Sequence, residues 1–146
     1  MREEDQELLN FAVNESFNEN DYYVSNSNYF AKNIIQTWPK WGKKIINITG
    51  EKYCGKTHLS KIFKIKSNAL YLYSNKINNN SIKRIKLYNS IIIEDLDEGF
   101  DEKLLYSIFN LVEQDNKYLL ISSIQPINTM KFSLPDLVSR LKNCII

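Results

Sequence analysis

The chain has 146 residues, the size of a single domain, and its hydrophobic fraction of 43% and charged fraction of 25% are those of an ordinary globular protein. No stretch approaches the roughly 20 apolar residues of a membrane span, and the acidic N-terminus lacks the apolar region of a secretory signal. Two cysteines, Cys54 and Cys144, do not make a disulfide framework, so we expect a cytoplasmic protein that has no membrane partner.

The net charge of +2 is distributed unevenly along the sequence. Residues 1–24 carry seven acidic side chains against one arginine, whereas residues 40–86 carry twelve basic side chains against one glutamate. Such a basic segment is compatible with nucleic acid or with an acidic partner. Because these basic residues are scattered over a loop, helix faces and a polar connection, we expect direct DNA contact to be weak or absent.

Strands alternate with helices along most of the chain. Residues 1–20 are polar and predict a flexible arm, and residues 21–146 predict one folded core. The predicted helices cover residues 27–38, 56–65, 101–114 and 135–142. The predicted strands cover residues 45–49, 68–73, 90–95 and 117–124, and a last strand begins at residue 143. Because the strands are almost wholly apolar, the pattern predicts an α/β fold in which helices cover both faces of a parallel sheet. Ligands of such sheets bind at the carboxyl ends of the strands.

A complete G-x-x-x-x-G-K-[ST] loop lies at residues 50–57, between a predicted strand and a predicted helix. The backbone N–H groups of such a loop cradle a phosphate, and the helix N-terminus adds its positive dipole end. Gly50 and Gly55 would permit the turn. Lys56 would reach the β- and γ-phosphates, and Thr57 would hold Mg²⁺. The alternative is a glycine loop that binds no ligand, which the strand–loop–helix context disfavours.

The predicted strand at residues 90–95 ends in two carboxylates, Glu94 and Asp95, as a Walker B strand does. In one register Glu94 holds Mg²⁺ and Asp95 orients the attacking water. In the other register Asp95 holds the metal and leaves Glu94 half-buried, which is costly without a partner. A third interpretation is that both acids only follow the strand into a loop. The hydroxyls of Ser122 and Ser123 lie at the end of another predicted strand, where a γ-phosphate sensor would be.

Together these features resemble the AAA+ ATPases of the bacterial initiator DnaA family, and within it the DnaA-like regulator Hda, over about residues 6–146. The segment at residues 22–31 resembles the family's nucleotide-flanking segment, in which Tyr23 and Val24 would cover the adenine. Residues 50–59 resemble the family's G-x-x-x-x-G-K-[ST]-H-L. The resemblance implies a three-layer P-loop NTPase domain that binds ADP or ATP with Mg²⁺.

The segment at residues 134–141, L-P-D-L-V-S-R-L, is similar to the L-P-D-L-x-S-R-L segment that carries the arginine finger of this family. By this match Arg140 would reach the γ-phosphate of a neighbouring subunit in trans, and a homodimer is a candidate assembly. Fingers of this kind accelerate hydrolysis by ~10³–10⁵ in GTPases. The alternative is a surface arginine on a short helix.

Residues 6–11, Q-E-L-L-N-F, resemble the clamp-binding peptide Q-L-x-L-P-L of Hda proteins. Gln6, Leu9 and Phe11 match in type, whereas Glu7 and Asn10 replace the usual leucine and proline. The resemblance implies docking on the DNA polymerase sliding clamp and stimulated hydrolysis of DnaA-bound ATP, which would restrain the initiation of replication. The alternatives are a stand-alone P-loop ATPase and a DNA-tethering or DNA-loading protein.

The resemblance also has departures from the family pattern. DnaA and Hda carry a helical lid after the finger helix, whereas this sequence ends at Ile146. We therefore expect an AAA+ core lacking the C-terminal helical lid, either as a trimmed family member or as a fragment. Glu94 at the usual aspartate position, the apolar Ile124 and the lack of a lid all imply weak intrinsic ATP hydrolysis.

Overall fold

A computed structural model describes residues 29–50 and 55–141, and the strands in these ranges form one parallel sheet. The strands are β1 (Ile45–Thr49), β2 (Leu70–Tyr73), β3 (Ser90–Leu96) and β4 (Tyr118–Ser123). Their order across the sheet is β1–β4–β3–β2, and every neighbouring pair is parallel. Most of the strand residues are buried, as strands covered on both faces must be. The predicted α/β fold with a parallel sheet is confirmed.

The four predicted helices lie close to their predicted positions. The helices of the structure are α1 (Tyr29–Thr37), α2 (Lys56–Ser67), α3 (Ser81–Ile85), α4 (Glu102–Gln114) and α5 (Pro135–Leu141), with short 3₁₀ turns at Ser74–Lys76 and Ile127–Thr129. The short α3 is a further helix that is not among the predicted ones. Helix α4 begins one residue later than predicted because Asp101 is its N-cap. The Asp101 carboxylate accepts the backbone N–H of Lys103 at 3.0 Å and that of Leu104 at 3.2 Å.

Two apolar clusters lie on opposite faces of the sheet. One cluster contains Ile35 of α1 and Leu59 and Phe63 of α2, packed against Ile92 of β3. The other cluster contains the apolar faces of α3, α4 and α5, including the predicted inward residues of α4: Leu104, Leu105, Ile108, Phe109 and Val112. Since helices cover both faces, the described residues form the expected three layers.

The strand register brings the ends of β1, β3 and β4 together. Thr49 pairs with Ser123, and Ile93 pairs with Ile121. Past Ile93 the pairing of β3 with β4 is shifted, and Leu96 pairs with Ser123. The residues that follow the buried part of each strand therefore lie at one edge of the sheet, where parallel α/β folds bind ligands.

Some predicted features lie outside the described residues. These are the arm at residues 1–20, residues 51–54 within the glycine loop and the last strand from residue 143. Within residues 29–50 and 55–141, no helix combines the length and apolar character that a membrane crossing requires.

Candidate nucleotide site

The described parts of the glycine loop have the backbone conformation that glycine permits. Gly50 has a φ of 153° and Gly55 a φ of 100°, so a side chain at either position would be strained. The Gly50 N–H donates to the Ser123 carbonyl at 3.2 Å, which ties the start of the loop to the end of β4. Helix α2 begins directly after Gly55, and the N-terminus of a helix favours an anion.

Lys56 and Thr57 occupy the first two positions of α2. The Lys56 side chain is buried, and its ammonium donates to the Gly50 carbonyl across the glycine loop. The Thr57 hydroxyl is directed towards the sheet and donates to Oε2 of Glu94 at 2.6 Å. Thr57 of α2 and Glu94 of β3, the two residues predicted to hold Mg²⁺, are therefore in direct contact.

Glu94 is 1% exposed, and each of its carboxylate oxygens accepts hydrogen bonds. Oε1 accepts the hydroxyls of Ser60 at 3.0 Å and Ser122 at 2.9 Å, while Oε2 accepts that of Thr57. A buried carboxylate is costly unless it is hydrogen-bonded, and here three donors meet that requirement. The buried Glu94 carboxylate therefore has the partners that its burial requires. Of the two acids, it is Glu94 and not Asp95 that contacts Thr57.

Asp95 has a different environment from its neighbour. Its side chain is exposed, and its φ of 62° places it in the left-handed region, at the irregularity where β3 loses register with β4. The hydroxyl of Ser122 accepts the Asp95 N–H at 2.9 Å, and the hydroxyl of Ser74 donates to the Asp95 carbonyl at 2.7 Å. These two hydrogen bonds fix a backbone conformation that aspartate tolerates better than most residues.

The two predicted sensor serines have different partners. Ser122 joins the Glu94 carboxylate to the Asp95 backbone, so it lies at the acids of β3. Ser123 donates to the Gln125 carbonyl at 2.7 Å and accepts the Asn47 side-chain amide at 3.0 Å. Its hydroxyl therefore supports the turn after β4.

Ser60, Asn47 and Tyr71 extend the site beyond the predicted residues. Ser60 follows Thr57 by three positions, the spacing that places two side chains on one face of a helix. Asn47 is the one amide within the apolar run of β1 and is 2% exposed. The Tyr71 phenol is buried, and this burial, together with the nearby Glu94 carboxylate, raises the pKa of Tyr71. Tyr71 therefore remains protonated and adds no negative charge.

An open cavity of about 490 Å³ adjoins these residues at the carboxyl ends of β2, β3 and β4. Its lining includes Glu94 and Asp95, two further acids, Asp97 and Glu98, and the apolar Ile124. In the described ranges no group of three or more histidine, cysteine or acidic residues is arranged to hold a metal ion. The residues that fit Mg²⁺ are the oxygen donors Thr57 and Glu94, which are hard ligands of the kind this cation prefers.

Arg140 lies on the opposite side of the sheet from α2. It forms an ion pair with Glu113 of α4, and its guanidinium is 5.2 Å from the centre of the Tyr106 ring. The preceding turn is held by Glu102, whose carboxylate accepts the N–H of Leu134 at 2.7 Å. The structure thus does not bring Arg140 to the Thr57–Glu94 pair of its own chain.

Five of the predicted site residues lie outside the described ranges. They are Tyr23 and Val24, predicted to cover the adenine, and Gln6, Leu9 and Phe11, predicted to bind the clamp.

The fold is similar to that of several solved structures. The chain is similar to domain III of the replication initiation protein DnaA from Thermotoga maritima, with a TM-score of 0.69 and 18% identity, over 88% of this chain and 65% of that one. It is also similar to AMPPCP-bound DnaA from Aquifex aeolicus, with a TM-score of 0.71 and 18% identity, over 86% of this chain and 47% of that one. The described residues therefore share the fold of domain III of DnaA.

A third similar structure is a putative primosome component from Streptococcus pyogenes serotype M3, with a TM-score of 0.65 and 14% identity. That match covers 84% of this chain and 78% of the other. The chain thus spans about half to two thirds of the DnaA chains but a larger share of the primosome component. No family model and no curated protein matches the sequence.

Proposed function

We propose that this chain is a DnaA-related AAA+ protein that binds ADP or ATP with Mg²⁺. The observation that carries the proposal is the 2.6 Å contact between the Thr57 hydroxyl and the Glu94 carboxylate. The positive φ angles of Gly50 and Gly55, the two glycines of the predicted phosphate loop, also support it. Thr57 and Glu94 would hold the metal, which neutralises phosphate charge when bound. Lys56 would exchange the Gly50 carbonyl for the β- and γ-phosphates. The similarity to an AMPPCP-bound DnaA supports an adenine nucleotide as the ligand.

Titration with fluorescent ADP and ATP analogues tests nucleotide binding. Lys56→Ala should abolish binding because the phosphates lose their buried cation, whereas Lys103→Ala, an exposed lysine on α4, should bind as the wild-type chain does. A wild-type chain that binds neither nucleotide would overturn the proposal.

The proposed role of the bound protein is regulatory. It would dock on the sliding clamp through Gln6, Leu9 and Phe11 and present Arg140 to ATP bound by DnaA, whose hydrolysis would then restrain initiation. Two observations support a role in trans: Arg140 lies on the sheet face opposite α2, and its side chain is 28% exposed. The Arg140 guanidinium could leave Glu113 and bind a phosphate without any change in the packed core.

Hydrolysis of DnaA-bound ATP tests that role directly. Arg140→Ala should leave nucleotide binding by this chain unchanged and abolish its stimulation of hydrolysis. Arg84→Ala, an exposed arginine on α3, is the matched control and should stimulate as the wild-type chain does. Equal stimulation by Arg140→Ala and by the wild-type chain would exclude Arg140 as the finger.

A DNA-loading or DNA-tethering role is the second candidate function. The observation that favours it is the similarity to the putative primosome component, which extends over 78% of that chain, against 47% for the Aquifex DnaA. Salt-dependent binding to single-stranded or duplex DNA, with no effect on DnaA-bound ATP, would favour this role over the regulatory one.

A further inference from the structure

The carboxylate of Glu94 is held asymmetrically. Two hydroxyls, those of Ser60 and Ser122, donate to Oε1, whereas Oε2 accepts the hydroxyl of Thr57. Oε1 is therefore fixed by two donors from α2 and β4, and Oε2 is directed to the first turn of α2. Thr57 is exposed, so Oε2 is the oxygen that lies towards the proposed ligand.

A glutamate at this position needs more restraint than an aspartate would. Its side chain has one more rotatable bond, and each additional bond adds rotamers that must be lost before the carboxylate has a single position. With Ser122 as its one donor, the Glu94 carboxylate could still rotate about that hydrogen bond. Ser60, which is fully buried, supplies a second fixed donor from another element.

We propose that Ser60 is a positioning residue for the magnesium ion of the nucleotide site. Together with Ser122 it fixes Oε1 of Glu94, so that Oε2 is directed to the metal beside Thr57. The Thr57 hydroxyl oxygen and Oε2 of Glu94 would hold the ion, while Ser60 and Ser122 would keep their hydrogen bonds to Oε1. This inference rests on the proposed function, because it assumes that the metal arrives with a nucleotide.

The test is the affinity for a fluorescent ATP analogue, measured once in excess EDTA and once in excess Mg²⁺. For the wild-type chain we expect tighter binding with Mg²⁺. Ser60→Ala should lose about tenfold or more of this Mg²⁺-dependent gain, the usual effect of removing a residue that orients a metal ligand. Its affinity in EDTA should equal that of the wild-type chain, and Ser60→Thr, which retains the hydroxyl, should recover at least part of the gain.

Ser67→Ala is the matched control. Ser67 lies on the same helix, and its hydroxyl donates to the Phe63 carbonyl at 2.7 Å rather than to Glu94, so the Mg²⁺-dependent gain should persist. Ser122→Ala removes the other donor to Oε1 and should show the same selective loss, which provides a second test where Ser60→Ala does not fold.

The outcomes separate this inference from the proposed function. The positioning role alone would be overturned if Ser60→Ala had the wild-type affinity for the analogue in both EDTA and Mg²⁺. It would also be overturned if the affinity of Ser60→Ala fell by the same factor in both. A wild-type chain that binds the analogue under neither condition would overturn the proposed function and the inference with it.

Discussion

Asn47 of β1 accepts the backbone N–H of Ile127 at 2.9 Å, which joins the strand before the glycine loop to the 3₁₀ turn that leads to α5. The Asn47 amide also donates to the Ile121 carbonyl and to the Ser123 hydroxyl, each at 3.0 Å. Both ends of this buried side chain are therefore satisfied, and one residue connects β1, β4 and the turn.

Asn47→Ala should destabilise the fold by about 1–3 kcal/mol, because it leaves the buried N–H of Ile127 without its acceptor. The free energy of unfolding from urea titration measures this effect. Asn33→Ala, an exposed asparagine on α1, should change stability by less than about 0.5 kcal/mol. Equal effects of the two substitutions would contradict the structural role of Asn47.

Lys117→Met should also destabilise the fold, although it replaces a charged residue by an apolar one of similar length. The Lys117 side chain is 4% exposed, and its ammonium donates to the carbonyls of Tyr88 at 2.7 Å and Lys86 at 3.3 Å. Methionine leaves these carbonyls without a charged donor, so we expect a loss of about 1.5–3 kcal/mol in urea denaturation. An unchanged midpoint would show that water replaces the ammonium fully.

Glu102→Gln should have an effect that depends on pH. Hydrogen bonds from the Leu134 N–H, and from the N–H and hydroxyl of Ser133, lower the pKa of Glu102 from its ordinary value of 4.5. A lowered folded-state pKa means that the carboxylate stabilises the fold above pH 4.5, and that this stabilisation is lost as the pH falls through the folded-state pKa.

We therefore expect Glu102→Gln to lower the melting temperature at neutral pH, with the difference from the wild-type chain narrowing below pH 4.5. Melting curves across this pH range measure the difference. Asp115→Asn, an exposed acid at the end of α4, is the comparison variant. A difference that stays constant with pH would contradict the role assigned to the Glu102 charge.

Glu113→Gln should cost less than about 1 kcal/mol, because the ion pair with Arg140 is partly exposed and solvent screens it. The loss should shrink further at high salt concentration, which urea titrations at two salt concentrations would reveal. A salt-independent loss of several kcal/mol would mean that the pair is part of the packed core and that Arg140 is not readily available in trans.

The sequence predicts the framework of this site better than its hydrogen bonds. The alternation of apolar strands with helices and the glycine loop place Lys56, Thr57 and Glu94 at one edge of the sheet, because both signals are local. Ser60 and Asn47 have no such signal, since their partners Glu94 and Ile127 are 34 and 80 residues away in the sequence and are set by the tertiary packing of the elements. Ser122 is predicted at the end of its strand, but its partners, the Glu94 carboxylate and the Asp95 N–H, depend on a shift in strand register.

The predicted clamp-binding peptide gives the most direct test of where the protein acts. We expect the wild-type chain to bind the sliding clamp and the triple variant Gln6→Ala, Leu9→Ala, Phe11→Ala to lose that binding, because the peptide would dock through these few anchor side chains. A pull-down followed by an affinity titration measures both. The triple variant should keep the nucleotide affinity of the wild-type chain, since Lys56 and Thr57 are unchanged. Binding that survives the triple change would assign the clamp contact to another surface, and a wild-type chain that does not bind the clamp would favour the DNA-loading role.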